Sequence, residues 1–238
     1  MMSLLLWLEA PLQAWGVSSR FGRRDTLPFP TRSGVLGLLC CAMGRSGEQR
    51  EFLAEMCRLS QSIVAYSRVL PARTEKVQTN PFLVDFQMVG SGYTMEDDWQ
   101  SLNVPRKSDG SKPVGAGTKM TYRYYIQDMA FACAIDIPQK YMAEVVECVK
   151  NPIWPVCLGR KCCVPTAPVY AGTFASIDDG LLSAQVLAQE RGRKEIFRVV
   201  SGECADGEVL TLNDVPLSFG LHKKYSDRRV TVVPAINE

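Results

Sequence analysis

The chain has a single histidine, His222, in 238 residues. A general acid or base works only with a positioned partner, and nothing adjacent to His222 supplies a nucleophile or a metal ligand. A solvated or phosphate-contacting imidazole is the expected reading. No Ser-His-Asp pattern, P-loop, GxGxxG turn or metal motif occurs anywhere, so catalysis has little to stand on. The aromatic RNP1 signature is missing as well, which disfavours generic RNA reading by sheet aromatics. No apolar run approaches the length of a membrane span. The opening "MMSLLLWLEA" is too short in its apolar run for a signal peptide and gains an acid at Glu9, so the expected compartment is the cytoplasm, with no membrane association.

That compartment decides how nine cysteines are read. Cys40, Cys41, Cys57, Cys133 and Cys148 fall inside apolar helix or strand patterns, where a reduced thiol acts as a small buried hydrophobe. Cys157, Cys162 and Cys163 are close together, yet they form no CxxC pair and have no nearby histidine, so neither a metal nor a cofactor is expected.

What is present is an apolar core and clustered basic charge. At 46% hydrophobic residues the chain can bury a real core, as one large domain or two small ones. The formal net charge of +2 averages over local basic patches. "SLLLWLEAP" predicts a buried strand, and the loop after it interleaves Arg20, Arg23 and Arg24 with Trp15, Phe21 and Phe29. Thr31 and Ser33 then cap a predicted helix that runs to about Gly44. A polar helical stretch around Glu48 to Cys57 leads to the strand "SIVAYSRVL". From about 71 to 125 turn formers cluster, and the second half of this insertion is basic through Arg106, Lys107 and Arg123. "DMAFACAIDI" predicts a strand and "PQKYMAEVVECVKN" an amphipathic helix begun at Pro138. After 152 the texture becomes strands and loops around one helical stretch, "GLLSAQVLAQE". The expected fold is therefore α+β, a ferredoxin-like split βαβ domain over 1–151 with a projecting hairpin and a smaller, mainly β region over 152–238.

Three stretches carry candidate chemistry. The helix at "TRSGVLGLLCCAMG" starts with Arg32 at its positive end and with Gly34 and Gly37 in its first two turns. Unsatisfied N–H groups, the Thr31 and Ser33 hydroxyls and the bare glycine backbone suit a phosphate there, while tight helix-to-sheet packing explains the same glycines. "LGRKCCVPTAPVYAG" sets Arg160 and Lys161 beside a glycine turn, and "HKKYSDRRV" gathers Lys223 and Lys224 near Tyr225. Both fit solvated loops or a single-stranded nucleic acid, with charge following phosphates and rings stacking on bases.

"LEAPLQAWG", "SRFGRRDTLPFPTRSGVLGLLCCAMG", "DFQMVG" with "TYRYYIQDMAFACAI", "LGRKCCVPTAPVYAG" and "VPLSF" together resemble the CasD family, the CRISPR-associated RAMP subunit of type I-E Cascade. The resemblance implies a ferredoxin-like domain with a β-hairpin thumb that holds the 5′ handle of the CRISPR RNA as a non-catalytic scaffold. It implies contacts with the backbone subunit CasC, the large subunit CasA and target DNA near the handle end. Carried onto this chain, the RNA-binding set comprises Gln13, Trp15, Arg20, Arg23, Arg24, Thr31, Arg32, Ser33, Gly34, Arg106, Lys107, Arg123, Arg160, Lys161, Lys223 and Lys224. The competing reading is an endoribonuclease like the type I-C relatives, which use a tyrosine, a lysine and a histidine. A free-standing RNA chaperone is a third, which the long insertion argues against.

Overall fold

Ser3 to Leu8 are all buried, and the run faces two ways: Leu4, Leu6 and Leu8 join one core while Leu5 and Trp7 join another. Only a strand covered on both sides needs that pattern. The computed structural model, which describes residues 2–16, 22–69, 82–89, 108–111 and 119–235, places this strand, β1 (Met2–Glu9), inside a seven-stranded sheet.

The helices and strands of the first half follow the sequence reading closely. They are α1 (Arg32–Ala42), α2 (Arg50–Met56), β4 (Gln61–Arg68), β7 (Ala130–Ile137) and α3 (Gln139–Lys150). β8 (Tyr170–Phe174), α4 (Ile177–Glu190), β9 (Arg193–Ser201), β10 (Glu208–Ser218) and β11 (Lys224–Pro234) complete the chain. The sheet order is β10-β11-β9-β4-β7-β1-β8, with every pairing antiparallel. Strands from both sides of residue 152 thus share one sheet. α1, α2 and α3 bury their apolar faces in the larger core, and α4 covers the opposite face through Ala184 and Ala188.

A second, smaller sheet grows from β6 (Lys119–Gln127). β5 (Phe82–Val89) and β2 (Leu12–Gln13) pair with it antiparallel, and β3 (Arg23–Arg24) pairs parallel. The two short strands β2 and β3 lie in what the sequence marks as loop, because a two-residue ladder leaves no periodicity to read. β5 and β6 are what the structure describes of the 71–125 insertion apart from residues 108–111. Val84, Phe86, Met88 and Tyr122 on this ladder stay exposed.

All nine cysteines are free thiols. Burial pushes Cys133 and Cys163 up to about 12 and Cys40 up to about 11, which leaves them as inert packing groups. Cys41, Cys57 and Cys148 are half-buried rather than fully enclosed. Among the described residues no helix is long and apolar enough to cross a membrane, and no cluster of His, Cys, Asp and Glu could hold a metal ion.

Glu9 closes the end of β1. Its carboxylate accepts from Trp7 Nε1 at 2.7 Å and from Arg193 at 2.6 Å, with Arg191 at 3.2 Å. Burial pushes the Glu9 carboxyl up, but the Trp7 N–H and the two arginines outweigh it and leave the group below its ordinary 4.5. Stability from this group is therefore complete above pH 4.5 and is lost as the pH falls through the lower folded value. Glu9→Gln is expected to lower the melting temperature near neutral pH and to flatten its decline below pH 4.5. A thermal-melt series across pH checks both halves of that expectation.

Candidate nucleic-acid interface

α1 begins on an anion supplied by the protein itself. The Arg32 backbone N–H, first in the helix, donates to Asp214 Oδ2 at 2.7 Å, and Thr31 Oγ1 accepts from the Gly34 N–H at 3.1 Å. Asp214 is 2% exposed on β10 and is held by Arg228 through hydrogen bonds of 2.6 and 2.9 Å. The helix-start chemistry the sequence suggests is thus present, with a carboxylate on one of the amides that a phosphate would use. Asp214 is absent from the sequence-derived set. Its one signal is an acid in inward register with Leu210 and Leu212 on a strand.

Arg32 turns inward. Its guanidinium is buried and donates through Nη2 to the carbonyls of Met56, at 3.1 Å, and Leu59, closing the C-terminal end of α2. Gln13 and Trp15 are likewise enclosed. Gln13 Nε2 donates to the carbonyls of Leu8 and Met129 at 3.1 and 2.8 Å, while its Oε1 accepts from Trp15 Nε1 at 3.1 Å. The Trp15 ring then lies on Gly34, where an added Cβ would come within 2.7 Å of the ring. Packing therefore accounts for Gly34. Gly37 differs, because a Cβ there would meet nothing within 4 Å.

The loop after Leu158 is fitted to the same place. Gly159 has φ +98, and a Cβ on it would lie 1.6 Å from the Ala14 carbonyl oxygen. Both constraints demand glycine. Ala14 N–H donates to the Leu158 carbonyl at 3.1 Å, joining the two loops main chain to main chain. Arg160 fastens them to the small sheet, donating to the carbonyls of Tyr124 at 3.0 Å and Arg24 at 2.8 Å with its guanidinium 4.6 Å from the Tyr125 ring centre.

These fixed parts line an open cleft of about 200 Å³ together with Ser33, Phe219, Lys223 and Tyr225. Lys223 and Lys224 are exposed at the end of the β10–β11 connection, and Lys161 is exposed beside Arg160. Arg23 and Arg24 face solvent from β3, with Arg23 on Asp25 at 2.7 Å and over the Tyr124 ring at 4.7 Å. Arg123 is half-buried on β6. Arg20, Arg106 and Lys107 lie outside the described residues. The sequence-derived residues that line the cleft are thus Trp15, Thr31, Ser33, Gly34 and Lys223. Gln13, Arg32 and Arg160 hold the frame together.

A family model described as CRISPR-associated protein (Cas_Cas5) matches residues 3–231. The CRISPR system Cascade subunit CasD of Escherichia coli (strain K12) is 32% identical over 178 residues, 74% of this chain and 72% of that protein. A chain of a solved CRISPR RNA-guided surveillance complex superposes with a TM-score of 0.71 at 25% identity, over 98% of this chain and 89% of that one. A crystal structure of a Cas protein shares the fold, with a TM-score of 0.59 at 24% identity over 98% of this chain and 94% of that chain.

The two helix glycines make a matched test. Alanine gains about 1 kcal/mol of intrinsic helix propensity over glycine at either position. Gly37→Ala is expected to raise the melting temperature, since the new methyl meets open space. Gly34→Ala is expected to lower it, because the Trp15 ring and Thr31 Oγ1 must both give way. Paired thermal melts of the two variants read the difference.

Proposed function

The chain belongs to the CRISPR-associated Cas5 family, and on that premise we propose that it is a non-catalytic, RNA-binding scaffold subunit of a type I-E Cascade complex. In this reading it holds the 5′ handle of the CRISPR RNA in the cytoplasm, against the backbone subunit CasC and the large subunit CasA, near the target DNA. The observation that carries it is the cleft at the start of α1, which Ser33, Gly34, Lys223 and Tyr225 line together. No ion pair engages Lys223 among the described residues. A cation without an ion pair beside the Ser33 hydroxyl suits a phosphodiester backbone, and Tyr225 offers a ring at the same cleft.

The fold supports the same reading. β8-β1-β7-β4, with α1 and α2 between β1 and β4 and α3 between β7 and β8, is the arrangement of a ferredoxin-like domain. We take β5 and β6 as the base of the thumb, and β9, β10 and β11 as the mainly β region that extends the same sheet. RNA contacts are assigned to the exposed members of the sequence-derived set, with Gln13, Trp15, Arg32 and Arg160 acting through the frame.

Binding of this kind is set by phosphate charge. Lys161→Ala, Lys223→Ala and Lys224→Ala are each expected to flatten the slope of log affinity against log salt by about 0.7 for each phosphate no longer neutralised. Fluorescence anisotropy with handle-containing RNA across a salt series measures it, and unchanged slopes in all three variants would overturn the assignment. The purified chain is also expected to leave repeat RNA uncut, with or without magnesium. Specific cleavage that disappears on His222→Ala would move the protein to the endoribonuclease class.

A further inference from the structure

Beyond Phe219 the face of α1 continues into a second groove, of about 310 Å³, lined by Gly37, Cys40, Cys41, Trp154, Phe219 and Lys223 among others. We propose that this groove receives one base of the bound RNA, stacked on Trp154. The proposal deepens the RNA-scaffold reading and rests on it.

Continuity is the first support. Phe219 and Lys223 line both this groove and the cleft at the helix start, so the two are successive stations along α1. Ser33, Gly37 and Cys41 follow one another at four-residue spacing on one helix face, spanning about 12 Å at 1.5 Å per residue.

The second support is room without a packing reason. A Cβ at Gly37 would meet nothing within 4 Å, so the glycine leaves open space in the groove it lines rather than admitting a neighbour. Trp154, which is 42% exposed, stands in a loop that is itself held fast. Ile153 N–H donates to the Ala42 carbonyl at 2.8 Å, and Cys41 Sγ contacts the Pro155 carbonyl at 3.5 Å. Gly44, at φ +64, leaves no space for a Cβ against Ile153. A ring on such a support is preorganised, and binding to it orders little.

Charge decides between a base and a peptide as occupant. None of the lining residues is acidic. Arg45 at the far end is engaged by Glu144 at 2.9 Å and lies 4.8 Å from the Phe52 ring centre. Lys223 is therefore the free cation over the groove, placed to neutralise a phosphate on the strand that delivers the base. Exposed Ile153 and Leu221 flank the site and would suit a protein instead, which makes that outcome a necessary arm of the test.

The experiment uses the full chain with two fluorescent probes, a short oligouridylate and an abasic oligonucleotide of equal length, read by anisotropy at low salt. Trp154→Ala is expected to weaken oligouridylate binding about ten-fold and to leave abasic binding unchanged, whereas Trp154→Phe keeps oligouridylate affinity within about two-fold. Lys223→Ala should weaken both probes. Equal melting temperatures for the wild type and both Trp154 variants confirm that the fold is intact, and if Trp154→Ala unfolds, Trp154→Phe and Cys41→Trp, which fills the groove, carry the test. Unchanged oligouridylate affinity in Trp154→Ala, or equal losses on both probes, overturns the base slot and leaves the scaffold reading standing. Loss of a protein subunit from the purified assembly with RNA binding intact also overturns it, and assigns the groove to a protein contact. A wild-type chain that binds neither probe removes both readings together.

Discussion

The carboxylate of Asp214 sits almost wholly out of water, and the surroundings of α1 are arranged to make that tolerable. Two hydrogen bonds from Arg228 and the first amide of the helix satisfy it. An ion pair at this depth is costly to desolvate and gives little net stability, but losing one partner strands a charge and costs about 3–5 kcal/mol. Its value here lies in register. It fixes α1 against β10 and β11, and with α1 fixed, Gly34 meets Trp15 and Arg32 reaches the end of α2. The shape of the cleft follows from those placements.

Charge is divided between residue types in a way that the net value of +2 conceals. Arg32, Arg160, Arg193 and Arg228 each satisfy several acceptors within the fold, which suits a planar, forked donor. Lys161, Lys223 and Lys224 remain in solvent with no ion pair among the described residues. Lysine is a compact point charge on a flexible stem, able to follow a backbone whose phosphates are not rigidly spaced. These four arginines brace the fold while the three lysines stay in solvent.

How much of this could be read in advance depends on where each cause lies along the chain. The Thr31 cap, the two-sided burial of β1 and the amphipathic α3 rest on neighbours within a few residues, so pattern reveals them. The Arg32 amide answers to Asp214, 182 positions away, and its guanidinium to the carbonyls of Met56 and Leu59, so no local pattern tells an arginine aimed inward from one aimed at a ligand. Gly34 and Gly37 are alike by spacing and opposite in cause, one packed and one open. Gln13 and Trp15 sit among arginines and so resemble a surface motif, whereas their hydrogen bonds run to Leu8, Met129 and each other. The change of texture near 152 is real in the sequence, yet β9 and β11 pair onto the existing sheet, because a strand's own residues do not say whose edge it will join.

β1 precedes both of its sheet neighbours in the chain by more than a hundred residues. One of its neighbours in the sheet is β7 and the other β8, so the strand is not covered on both edges until Phe174 has been synthesised. At about 5–20 residues per second, that interval lasts roughly 10–30 s. Until β7 has followed, the segment Leu4–Leu8 is an apolar strand with no sheet partner, and until β8 has followed one of its edges stays open, the kind of stretch that aggregates or recruits a chaperone. How long this strand is exposed is thus set by the order in which its neighbours are synthesised, a property of the chain that no native contact records.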